Sequence, residues 1–171
     1  KIPAGKKAVR SNFTIVPEPI TPRKVTLTDS KVAKEEVVRY YQAPSMVYGK
    51  KEYAHAINIL SYLLGASDTS ILYQEMVVKN KKAVEVGSYY DDLRIGPSIF
   101  ALSATPVDGV KLSEIEEIFD KNIQNILKNG VDAKDLARAK KSIIAAAIYS
   151  REDLRTLANL YGQVLAIGLD S

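Results

Sequence analysis

The sequence predicts an α+β domain: a mainly antiparallel sheet with helices packed on one face. Three observations carry this. Four short stretches alternate polar and apolar residues with the period of a strand. Two of them, Ala83 to Tyr90 and Ser98 to Thr105, are separated by a short turn-rich loop, which pairs neighbouring strands antiparallel. The remaining segments repeat their apolar residues every three or four positions, as helices do.

Lys1 to Arg23 carries Pro3, Pro17, Pro19 and Pro22 with little periodicity, so residues 1–23 read as a linker or extended arm before a domain spanning 24–171. Lys24 to Asp29 places Val25 and Leu27 on one side and is expected to be a short strand. Glu36 to Gln42, with Val37, Val38, Tyr40 and Tyr41, is a second strand, ended by Pro44, which cannot donate to a ladder.

Lys51 to Leu64 brings Tyr53, Ala56, Ile57, Leu60, Leu63 and Leu64 to one helical face, with Gly65 as its stop. Ser67 to Lys79 predicts a shorter helix capped by Ser67 or Asp68 and continued by Ile71, Leu72, Glu75 and Met76. The hairpin follows, its loop marked by Asp91-Asp92 and Gly96-Pro97. Ser113 and Glu116 have the spacing of a capping box for a helix whose stripe is Leu112, Ile115, Phe119, Ile123, Ile126 and Leu127. Asp132 and Asp135 start the next helix, with Leu136, Ile143, Ile144 and Ala147 inward. Ser150 and Asp153 cap a last one carrying Leu154, Leu157, Ala158, Tyr161, Val164 and Leu165.

Composition excludes several classes. The chain has 171 residues, enough to bury a core, and 46% of them are hydrophobic, so wholesale disorder is not expected. No apolar run reaches the length of a membrane span. There is no cysteine, hence no disulfide and no thiolate metal site. The net charge of +4 is spread along the chain, with clusters at Lys79, Lys81, Lys82 and at Lys134, Arg138, Lys140, Lys141. These read as solvated surface, since a nucleic-acid footprint is denser and interleaved with aromatics. Lys1 to Asn12 is basic without an apolar core segment, so it is no secretion signal. A chain that starts at Lys1 reads as a fragment or processed product.

Catalytic chemistry finds few residues to use. His55 is the single histidine and falls off the apolar stripe, which makes it a solvent-exposed side chain before it is a catalyst. A zinc motif needs two histidines one helical turn apart and a glutamate, which one histidine cannot supply. Asp91-Asp92 lies where aspartates bond turn backbone, and Glu35-Glu36 reads as a solvated pair. Tyr40-Tyr41 and Tyr89-Tyr90 each place one ring on either side of a strand, one in the core and one on the surface.

Six stretches, in order, resemble the second domain of insulinase/pitrilysin-family zinc metallopeptidases, the group that includes mitochondrial processing peptidase. They are Arg39 to Ser45, Ala54 to Gly65, Thr69 to Val77, Ala83 to Asp91, Phe100 to Pro106 and Leu136 to Lys140. The resemblance runs from about Lys24 to Gly168 and implies the C-terminal, non-catalytic half of a longer enzyme, truncated at its own C-terminus. In that family the catalytic half bears an inverted H-x-x-E-H motif on the helix equivalent to Ala54–Gly65. Aligned from Gly65, the histidines correspond to Ala56 and Leu60 and the glutamate to Ile59, all taken as core-stripe residues here. A helper arginine and tyrosine that some non-catalytic halves carry fall on Val77 and Val84, and the family's usual glycine between them on Lys81.

The resemblance therefore implies no catalytic, cofactor-binding or metal-binding residue in this chain, and zinc in the catalytic half of the parent. It implies a domain that closes a substrate chamber and supports dimerisation. The expected partners are the catalytic N-terminal half of the same protein, a related subunit in a homo- or heterodimer, and peptide substrate, but no nucleic acid. The alternative is a non-enzymatic scaffold or core subunit of the same fold. The expected location is a bacterial periplasm or cell envelope, with cytoplasm or mitochondrial matrix as alternatives.

Overall fold

The computed structural model describes residues 17–169. The sheet has three antiparallel strands in the order β1-β3-β2: β1 is Val37–Ala43, β2 is Ala83–Tyr90 and β3 is Ser98–Pro106. The register sets Tyr41 opposite Phe100 and Tyr90, Arg39 opposite Leu102 and Ser88, and Val37 opposite Ala104 and Val86. Side chains alternate across a strand, so these residues share one face. Helices cover it. Leu64 from α1 (Ala54–Gly65), Leu72 from α2 (Ile71–Tyr73) and Ile115 and Phe119 from α3 (Leu112–Asn129) pack with Phe100, Leu102 and Ala104 into the core. The predicted layered α+β architecture and its hairpin are present.

Small residues let α1 approach β2. Gly65 is buried, and a β-carbon added to it would meet the Ser88 nitrogen at 2.7 Å. Ser61 and Ser88 exchange a hydroxyl hydrogen bond of 2.9 Å one turn away. Gly65 lies inside α1 and has no positive φ, so its role is close approach and not the predicted helix stop.

The second helix departs from expectation. Ser67 to Ser70 form a turn closed by the Ser70 amide on the Ser67 carbonyl at 3.0 Å, and α2 begins only at Ile71. Gln74–Lys79 is then π-helical, with the Asn80 amide donating to the Glu75 carbonyl five residues back. Neither Ser67 nor Asp68 caps the helix. Asn122, buried on α3, donates to a Glu75 carboxylate oxygen at 2.8 Å and to the Ile118 carbonyl at 2.8 Å, tying the π-turn to α3.

Five further expectations are corrected. Lys24 to Asp29 forms no strand: Val25 is 90% exposed and Leu27 87%, and the segment stands off the free edge of β1 across a hollow of about 1660 Å³. An alternating pattern makes a strand only when a neighbour supplies the ladder. The capping pair of α3 is shifted, since the Lys111 amide donates to Glu114 at 3.3 Å while Glu116 instead holds Lys24 at 2.8 Å. Leu127 is exposed at the end of α3. On α4 (Ala133–Tyr149) the buried residue is Ala139, while Ile144 and Ala147 face solvent. The caps themselves are found: Asp132 accepts from the amides of Lys134 and Asp135, and Asp153 from that of Arg155. Yet α5 (Leu154–Ala166) buries no residue, and Leu154, Tyr161 and Leu165 are half or more exposed.

Candidate functional site

Three places on the fold were singled out by residue type, and each can be read from its surroundings. The first is α1. Ala56 is exposed, Ile59 half-buried, and Leu60 packs against the core cluster. The expectation that all three belong to the core stripe is thus corrected for Ala56. The buried face of α1 is Ala54, Ser61, Leu63, Leu64 and Gly65, because α1 lies down on β2 through its small residues. None of the three side chains has a donor atom for a metal, so these residues do not fit a zinc ion. Among the described residues no group of three His, Asp or Glu side chains comes together. His55 is exposed beside Ala54 on the solvent side of the helix.

The second place is the segment from Val77 to Val84. Val77 packs against the core, Val84 is 49% exposed on β2, and neither has a polar group to hold a substrate. Between them Lys81 has φ 49°, the one non-glycine residue with positive φ among the described residues. This is the left-handed region that glycine occupies at no cost. The chain thus keeps, at the position where the resemblance expects glycine, the backbone turn that glycine would make. The amide that follows, Lys82, donates to the Met76 carbonyl at 2.7 Å, so the turn terminates the π-helix and starts β2.

The third is the hairpin loop. The Asp91 carboxylate accepts the Leu93 amide at 3.2 Å and lies 3.9 Å from Arg94. The Asp92 carboxylate accepts from Asn58 on α1 at 3.2 Å, and its carbonyl from the Met46 amide at 2.9 Å. These are turn and loop-locking contacts, as read from the sequence. The Tyr90 hydroxyl donates to the Pro44 carbonyl at 2.7 Å, and burial, followed by the charges of Asp92 and Asp91, pushes it up to about 12. The loop thereby clamps the β1 exit to the hairpin. Glu35 and Glu36 are exposed and outside any regular element.

What sequence reasoning missed is the other side of the sheet. Tyr40 and Tyr89 both register with Ala101, one on each side of it. They are 67% and 60% exposed, while Ala101 beneath them is 7% exposed. Val38 and Ile99 extend this face. Alternation in each strand predicted one outward tyrosine; which row they share depends on register, which no single strand encodes. On the covered side Arg39 lies 6.0 Å over the Phe119 ring and pairs with Asp120. Burial opposes the Arg39 charge, but the hydrogen bonds to Asp120 and Tyr41 outweigh it and its pKa is raised.

Comparison with known proteins agrees with this arrangement. The family model described as the Peptidase M16 inactive domain matches residues 1–143. No curated protein matches the chain. Among solved structures, a protease from Helicobacter pylori superposes with a TM-score of 0.84 at 23% identity, covering 94% of this chain and 38% of that one. The inactive peptidase domain of a candidate zinc protease from Bordetella parapertussis gives 0.70 at 14% identity, over 84% of this chain and 74% of that one. A candidate zinc protease from Bordetella pertussis Tohama I gives 0.66 at 16% identity, over 78% and 72%. The chain spans well under half the length of the Helicobacter protein. At these identities the structures establish a shared fold, and the family match over most of the sequence establishes membership: this chain is non-catalytic and belongs to the inactive domains of the M16 peptidases.

Proposed function

We propose that the chain is the non-catalytic half of a longer zinc endopeptidase, closing the chamber in which peptide is cut and supporting assembly with a related subunit. The observation that carries this reading is the one-sided layering of the fold. Helices cover one face of the sheet, while the other presents Tyr40, Tyr89 and Ile99 to solvent. A sheet face with exposed aromatics calls for something to lie against it. The zinc-motif positions on α1 lack donors, so the metal and its chemistry belong to another half. Substrate contact there falls to groups other than Val77 and Val84. A bacterial cell envelope is the setting we favour, on the kind of peptidase the sequence resembles.

The test mixes the chain with a half bearing H-x-x-E-H from an M16 peptidase. Elemental analysis should find zinc in the second half and none at stoichiometric level in this chain. Cleavage of an unstructured peptide should rise when the two are combined. Equal cleavage with and without the chain, or one tight zinc in the chain alone, would overturn the proposal.

A further inference from the structure

We draw no further inference here: the strongest candidate, the cleft between the π-turn, α3 and α4 where Lys79, Lys121 and Arg138 gather, is lined by surface charges of which Lys121 and Arg138 already pair with Glu75 and Asp135, and nothing in the structure shows what covers it.

Discussion

Gly65 of α1 sits against the backbone of Ser88 on β2, close enough that a β-carbon on Gly65 would lie 2.7 Å from the Ser88 nitrogen and 2.8 Å from the Gly87 carbonyl carbon. Neither neighbour is a flexible side chain that could give way. Gly65→Ala must therefore lift the helix off the strand, and overpacking of this kind costs about 1–3 kcal/mol. Urea unfolding should show a lower midpoint with an unchanged slope. An unchanged midpoint would mean that α1 does not dock on β2 as described.

Lys81 supplies the opposite case. Its φ of 49° is a glycine conformation held by a side chain, at a cost of about 1 kcal/mol. Lys81→Gly removes that strain and adds some unfolded-state entropy, so the variant should be as stable as the parent or up to about 1 kcal/mol more so. Lys81→Val should be clearly worse, because a β-branched residue is a true outlier there. The midpoints of thermal unfolding decide. A Gly variant less stable than the Val variant would contradict the turn.

Much of the fold was legible because pattern and partner coincide. Ala83–Tyr90 alternates and has β3 beside it, and Asp132 precedes an apolar-periodic run and accepts two amides. Lys24 to Asp29 alternates equally well but no strand lies beside it, so the pattern alone misleads. The α1 stripe holds at Leu63 and Leu64, which are buried, and at Ile57 and Leu60, which pack against the core, but Tyr53 and Ala56 are exposed. The close approach to β2 is made by Gly65 and by Ser61 bonded to Ser88, small residues that an apolar pattern does not mark. The absence of zinc donors at Ala56, Ile59 and Leu60 was readable from residue type alone. The Tyr40–Ala101–Tyr89 row was not, since it depends on three strands coming into register.

Tyr90 links stability to alkaline pH. Burial and the nearby Asp92 and Asp91 raise its pKa from 10.0 to about 12, so the folded state favours the protonated phenol that donates to Pro44. The stability this contributes is full below pH 10 and is lost as pH rises from there through about 12. Tyr90→Phe removes both the hydrogen bond, worth about 1 kcal/mol at neutral pH, and this titration. The variant should be less stable than the parent at pH 8, with the gap narrowing towards pH 12. A gap that widens with pH would reverse the assignment.

The last helix should matter little to the stability of the chain on its own. Leu154 is 81% exposed and Leu165 57%, and α5 buries no residue. A helix of 13 residues without a packed face is marginal in water. Leu154→Ser and Leu165→Ser, alone or together, should each change unfolding free energy by no more than about 0.5 kcal/mol. Leu64→Ala, at 1% exposure in the core, should cost about 2–5 kcal/mol. Hydrogen exchange gives a second readout: amides of α5 should exchange through local fraying, while those of α1 and β3 should need global unfolding. If the Leu154 and Leu165 variants approached the Leu64→Ala loss, α5 would have to be packed against the domain, and the exposure of its apolar face would be wrong.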